Sequence, residues 1–260
     1  MIPSDAEIAA FQRDGAVCLR GVVSSAELEQ LTRGVDRNLN DPSELAIEAV
    51  KPGEPGRFLE DFCNWQRIDE YEHYVRESSI AQVVGALMGS SSVRFYHDHL
   101  LVKEAGTKQP TPWHQDQPYY NVAGRQVISM WTPIDPVPRE STLEFVAGSH
   151  HGEWLLPRTF LDREAKWFPE GALAEIPEGP QPVIGWDLEP GDAVFFHALT
   201  LHRTAGSAQR RRVVSFRFLG DDATHAVRRW RTSPPFTGLV DELADGNPMD
   251  HPLFPILWQA

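Results

Sequence analysis

The chain has 260 residues, 41% hydrophobic and 23% charged, an ordinary globular balance with enough apolar material for a sizeable core. Its formal charge of −13, from 24 Lys+Arg against 37 Asp+Glu, argues against nucleic acid or an anionic membrane as main partner, because both attract basic surfaces. No apolar run approaches the roughly 20 residues of a membrane helix, and the start MIPSDAEIAAF lacks the basic-then-apolar pattern of a signal peptide. Cys18 and Cys63 form no metal-spaced cluster and no disulfide framework. Free thiols and a cytoplasmic location are the expectation.

Ser4-Asp5-Ala6-Glu7 is a capping box that opens a helix, and Gly15 is its stop. Ala16 to Val23 reads as a short strand. A second capping box, Ser24 to Glu27, opens a helix with Leu28, Leu31 and Val35 on one face. Asn40 to Arg57 carries Asp-Pro and Pro-Gly steps and reads as a loop. Arg57 to Trp65 mixes aromatic and charged residues without a clear period. Ser79 caps a third helix, with Ile80, Val83, Val84 and Leu87 at helical spacing and Gly89 at its end.

From Ser92 the pattern changes to strands: VRFYHDHLLV, QVISMWTPI, TLEFV, DAVFFHALTLH and RVVSFRFLG, separated by turn-formers such as Glu189-Pro190-Gly191-Asp192. Many short strands so punctuated predict a sandwich or barrel. A long insertion, His151 to Trp186, interrupts them, and a loop of that length is usually functional or mobile. The expected organisation is one domain over 1–260: a helical region over 1–91, a β core of about 92–222 and a wrapping tail over 223–260, with homo-oligomerisation left open.

Thr111-Pro112-Trp113-His114-Gln115-Asp116 carries the strongest chemical signal. On an extended chain residues i and i+2 face one side, so His114 and Asp116 can present an imidazole nitrogen and a carboxylate oxygen to one ion. His202, at the end of DAVFFHALTLH, is the candidate third ligand, read as sharing a strand face with Val194, Phe196, Ala198 and Thr200. Two His and one carboxylate on one face of an octahedron leave three positions open, the facial triad of non-haem iron(II) oxygenases. His97-Asp98-His99 has the same spacing and is a rival, in mid-strand without a further carboxylate at the right spacing. His150 and His151 read as loop residues, and His197 as packed or hydrogen-bonded.

Arg210-Arg211-Arg212 follows, leading into Val213 to Phe218. A dicarboxylate that chelates iron at one end needs a fixed cation at the other, and the arginine fork suits it. If Val214 and Phe216 pack outward, Arg211 faces in, while at least two of the three arginines belong to a solvated turn.

These residues resemble the phytanoyl-CoA dioxygenase family of iron(II)/2-oxoglutarate oxygenases. The resemblance runs from about Phe11 to Asp222, through FQRDGAVCLRGVVSSAEL, VKEAGTKQPTPWHQDQPYY, MWTPIDPV, LEFVAGSH, EPGDAVFFHALTLHRTAGS and RRRVVSFRFLGDDA. It implies a mainly β fold with flanking α-helices, the double-stranded β-helix or cupin-like jelly-roll barrel. It implies Fe(II) on His114, Asp116 and His202, with 2-oxoglutarate and O2 as co-substrates. Arg211 and Thr204 would take the far carboxylate of 2-oxoglutarate, and Gln115 and Trp131 would line its pocket.

The resemblance also implies a small-molecule substrate and hydroxylation rather than halogenation, since Asp116 fills the position related halogenases leave open. Tyr119, Tyr120, His99 and Arg217 are candidate substrate contacts, and Arg57 and Trp65 candidate lid residues. A non-catalytic jelly-roll protein that binds a metal or ligand is the alternative, and a zinc hydrolase would need a general base beside the triad.

Overall fold

The computed structural model describes residues 2–48, 53, 55–157, 173–179 and 181–260. Both capping boxes form as the sequence predicts. In α1 (Asp5–Asp14) and α2 (Ser25–Asn40) the preceding serine accepts the N–H three residues on, and that residue's glutamate reaches back to the cap. Gly15 ends α1 with φ 77, and a Cβ there would lie 2.4 Å from His150 Nδ1 and from Thr200 Oγ1. Glycine is required on both counts.

Helix α3 (Asp69–Glu77), unassigned from the sequence, buries Tyr71, Tyr74 and Val75 at helical spacing. Helix α4 (Ile80–Met88) ends at Gly89 as expected. Its Ser79 makes no side-chain cap, because φ −77 and ψ 6 are not the extended conformation that aims a capping hydroxyl at the first turn.

The strands are β1 (Ala16–Leu19), β2 (Ile47–Glu48), β3 (Phe58–Phe62), β4 (Ser92–Lys103) and β5 (Thr111–His114). They continue with β6 (Val122–Ala123), β7 (Val127–Pro133), β8 (Leu143–Val146), β9 (Val183–Ile184) and β10 (Ala193–His197). The last are β11 (His202–Thr204), β12 (Arg211–Leu219), β13 (Thr224–His225) and β14 (Ile256–Gln259). One sheet of eight strands runs β1-β10-β7-β12-β4-β3-β2, with β14 also on β4, and a second of four runs β5-β11-β8-β9.

Alternation along the large sheet sorts its residues. Leu100, Val102, Val214, Phe216 and Phe218 point outward and pack with α1 to α4 in the main hydrophobic cluster. Each such side chain contributes about 1.5–3 kcal/mol by burial. Trp131, Val194, Phe196 and Val213 point inward and meet Leu143 and Phe145 of the small sheet. The two antiparallel sheets, with helices on the outer face of the larger, make the jelly-roll the sequence implies. The chain after β13 packs Leu239 of α5 (Leu239–Glu242), Leu243, Met249 and Phe254 against Tyr96, Tyr120 and Val122 at one end.

Three readings of the sequence are corrected. DAVFFHALTLH is not one strand: β10 stops at His197, a turn closed by the Thr200 N–H to His197 O bond follows, and β11 starts at His202 in the other sheet. RFLEDFCNW, read as without period, contains β3, which pairs with β4 and alternates Leu59 outward with Phe58, Glu60 and Phe62 on its other face. The loop 40–57 contributes β2 as a short edge. Of the insertion 151–186, residues 158–172 and 180 lie outside the described residues, and β9 within it joins the small sheet.

Candidate metal centre

Strands β5 and β11 run antiparallel with His114 opposite His202, which sets their rings 4.1 Å apart between centroids. Asp116 arrives by a different route from the one its spacing suggests. Strand β5 ends at His114, and Asp116 has helical backbone angles, φ −73 and ψ −46, at the start of a short 3-10 turn. Its N–H and that of Gln117 both donate to Ala198 O, at 2.8 and 3.0 Å. The turn that splits β10 from β11 thus holds the carboxylate under the two imidazoles. Asp116 Oδ1 lies 3.5 Å from His114 Nε2 and 3.6 Å from His202 Nε2. Among the described residues these three form the one buried His/Asp group whose ligand atoms lie within 4.8 Å of one another.

Hydrogen bonds set the tautomers. His114 Nδ1 lies 2.9 Å from Pro112 O, and His202 Nδ1 lies 2.8 Å from Thr200 O. A carbonyl only accepts, so each Nδ1 carries the proton and each Nε2 turns a lone pair to the shared point. His202 is enclosed by Phe196 and Phe145, and burial followed by the neighbouring His114 pushes its pKa down to about 3. Burial alone would raise Asp116, but its surroundings, with Arg217 as the fixed cation, outweigh it and hold the carboxyl well below the usual range. Two neutral imidazoles and an ionised carboxylate are the protonation states a divalent ion requires of its ligands.

The rival triplet is resolved by alternation. Asp98 points to the other side of β4 and accepts the N–H groups of Asn64 at 3.0 Å and Trp65 at 2.7 Å, tying down the turn after β3. His99 faces inward, with Nε2 3.3 Å from Glu60 and Nδ1 3.2 Å from Arg217. His150 and His151 sit in a 3-10 turn with rings 3.8 Å apart, and His197 Nδ1 accepts the Leu199 N–H.

The three arginines separate cleanly. Arg210 pairs with Glu104 at 3.3 Å, and Arg212 with Asp135 at 2.7 Å and Asp36 at 2.9 Å. Arg211 is buried, donates to Ser141 O, stands over the Trp131 ring at 5.4 Å and has no described carboxylate beside it. Its Nε has no partner, and burial alone lowers its pKa to about 10. A buried cation without a counter-ion is costly unless a ligand anion completes it.

Thr204 is buried, and its Oγ1 takes a hydrogen bond from Lys103 Nζ at 3.0 Å. Gln115 spends its amide on the backbone, donating to Leu199 O at 2.8 Å and accepting from Leu155 N at 2.7 Å. It therefore fixes the chain beside the site. Of the other candidates, Tyr119 lies with its ring 6.2 Å from that of His114, and the Tyr120 hydroxyl accepts from Arg217. Trp65 is not near the triad: it packs on the outer side of the large sheet against Phe95. Arg57 pairs with Glu48 at the edge.

Four inward residues escape the sequence reading: Lys103, Glu60, Ser129 and the role of Arg217 toward Asp116. Lys103 is fully buried opposite Arg211 across the β4–β12 ladder. Glu60 is a buried acid whose pKa burial raises to about 7. Alternation along β12 already puts Arg217 on the face of Arg211, while for Lys103, Glu60 and Ser129 the signal was the inward face of a strand, legible only once β3, β4 and β7 are paired with their neighbours.

A family model described as phytanoyl-CoA dioxygenase matches residues 11–213. A probable phytanoyl-CoA dioxygenase of Caenorhabditis elegans is 25% identical over 245 residues, covering 84% of this chain and 75% of that protein. The peroxisomal phytanoyl-CoA dioxygenase of Rattus norvegicus is 23% identical, and the match spans only 62% of its length. Among solved structures, the epimerase SnoN in complex with Fe3+, alpha ketoglutarate and nogalamycin RO superposes with a TM-score of 0.77 at 21% identity, over 97% of this chain and 98% of that one. EvdO2 from Micromonospora carbonacea var. aurantiaca, complexed with 2-oxoglutarate, superposes at 0.64 with 22% identity, over 88% and 95%.

Proposed function

The chain belongs to the phytanoyl-CoA dioxygenase family, whose cofactors are iron(II) and 2-oxoglutarate, and from that premise we propose that it hydroxylates an unactivated C–H bond of a small-molecule substrate. The observation that carries the reading is the pairing of two features. Three buried ligand atoms converge with their lone pairs inward, and a buried arginine, without a counter-ion among the described residues, stands on the inner wall of the same sheets.

The residues fit the cofactors. His114, Asp116 and His202 would hold the metal through Nε2, one carboxylate oxygen and Nε2. Arg211 would take the far carboxylate of 2-oxoglutarate through its fork, with the Thr204 hydroxyl beside it and Trp131 behind the guanidinium. The bound metal with O2 and 2-oxoglutarate supplies the oxidising chemistry, and the balance is R–H plus O2 plus 2-oxoglutarate giving R–OH, succinate and CO2. The chain supplies orientation: His114 and His202 are fixed by Pro112 O and Thr200 O, and Asp116 by Ala198 O. It also supplies exclusion of water, since all three ligands are at most 6% exposed.

Anaerobic addition of iron(II) and then 2-oxoglutarate tests the reading. A weak visible charge-transfer band is expected from the chelate, and a substrate panel should then give succinate and a hydroxylated product in equal amounts. No band and no succinate would leave a non-catalytic binding protein in its place. Succinate with an epimerised product would keep the enzyme and overturn hydroxylation, a relevant outcome because SnoN is named as an epimerase. The same proposal places the protein in the cytoplasm, in keeping with free Cys18 and Cys63. Among the described residues no helix is long and apolar enough to cross a membrane.

A further inference from the structure

The Asp116 carboxylate is divided between two environments. Oδ1 faces His114 Nε2 and His202 Nε2 at 3.5 and 3.6 Å. Oδ2 faces away from them, taking the Ser129 hydroxyl at 3.1 Å and lying 3.6 Å from Arg217 Nη2. A carboxylate can bind a metal through one oxygen or both. Binding through both would close one of the positions a keto acid and O2 must share.

Arg217 is itself held in place. It is 5% exposed, on the inward face of β12 between β4 and β7. Its Nε donates to the Tyr120 hydroxyl at 3.1 Å and its Nη2 to His99 Nδ1 at 3.2 Å. An arginine only donates, so His99 Nδ1 is the acceptor and His99 Nε2 carries the proton, 3.3 Å from Glu60 Oε1. The guanidinium is thus braced by His99 of β4 on one side and by Tyr120 on the other. It can press on Asp116 without swinging after it.

We infer that Arg217 is a positioning residue which, with Ser129, holds Asp116 to one-oxygen ligation and so keeps the third position open for the keto acid and O2. The inference rests on the metal-centre reading above. Without Arg217 the carboxylate is free to turn both oxygens to the ion.

The test is the anaerobic chelate band, read on protein saturated with iron(II). Arg217→Met should keep its metal yet need about tenfold more 2-oxoglutarate for half-maximal band than wild type, the lower end of what outer partners of metal ligands usually carry. Arg217→Lys retains the charge and can reach one oxygen, so it should recover most of the shift. Should Arg217→Met not fold, Ser129→Ala removes a neutral partner of the same oxygen and should shift the titration by about threefold, one ordinary hydrogen bond. An Arg217→Met titration within twofold of wild type, or equal losses in the Met and Lys variants, overturns the inference. A wild type that gives no band at all removes the metal-centre reading itself and the inference with it.

Discussion

The two faces of β12 obey different physics. Its outward residues Val214, Phe216 and Phe218 are fully buried against the helices, where Phe216 meets Tyr71, Tyr74 and Phe95. Of its inward residues, Val213 is apolar, but Arg211, Ser215 and Arg217 are just as buried and polar or charged. The outward face gains free energy by leaving water. The inward face loses it, and is retained because buried hydrogen bonds and an expected ligand offset the desolvation. One strand therefore carries a structural face and a chemical face, and substitutions should separate them.

The sharpest break is Asp116→Ala, which should abolish the iron(II)–2-oxoglutarate band in protein that remains folded. Survival of the band would show that the inward face is not the metal centre. Phe216→Ala should do the reverse. A cavity in that cluster costs about 3–5 kcal/mol in urea unfolding, with the 2-oxoglutarate titration unmoved; a parallel shift of both would mean that the faces are coupled.

Glu60 sharpens the comparison through pH. Burial raises its carboxyl from 4.5 to about 7, so the folded state holds this proton more tightly than the unfolded chain. That contribution is intact below the unfolded value and is lost as pH rises through the folded one, up to about 3 kcal/mol in the metal-free protein. Glu60→Gln has no proton to lose, so its stability relative to wild type should climb between pH 4.5 and about 7 and then level off. A pH-independent difference would place Glu60 in water.

Arg211→Ala should raise the 2-oxoglutarate requirement by an amount equivalent to about 2 kcal/mol, one charge-assisted contact. Arg212→Ala, whose guanidinium is spent on Asp135, should change it less than about twofold. The reverse pattern would reassign the inward face. Smallest is Ser24→Ala, which should cost about 1 kcal/mol of stability through its lost cap and leave the metal centre untouched.

How far the sequence could be read follows from the same division. Capping at Ser4 and Ser24 and the stops at Gly15 and Gly89 are legible because each is decided within four residues. The burial of Val214 and Phe216, and with it the inward direction of Arg211, follows from alternation within one strand. The spacing of His114 and Asp116 pointed to a pair that the structure does bring together, but by geometry that does not occur, since Asp116 sits on a turn held by Ala198 O. His202 was read on a single strand that is in fact two, in different sheets. Lys103, Ser129 and Glu60 left no local mark at all.

The amino-acid order by itself determined where helices begin and end, which strand residues are apolar on one side, and the ligand types on offer, because these depend on neighbours a few residues apart. Only the tertiary structure decided that His202 lies opposite His114, that Lys103 lies opposite Arg211, and that Arg217 stands behind Asp116. Those neighbours come from strands remote in sequence. Their register is set by the summed burial of both sheets, which no short window of sequence contains.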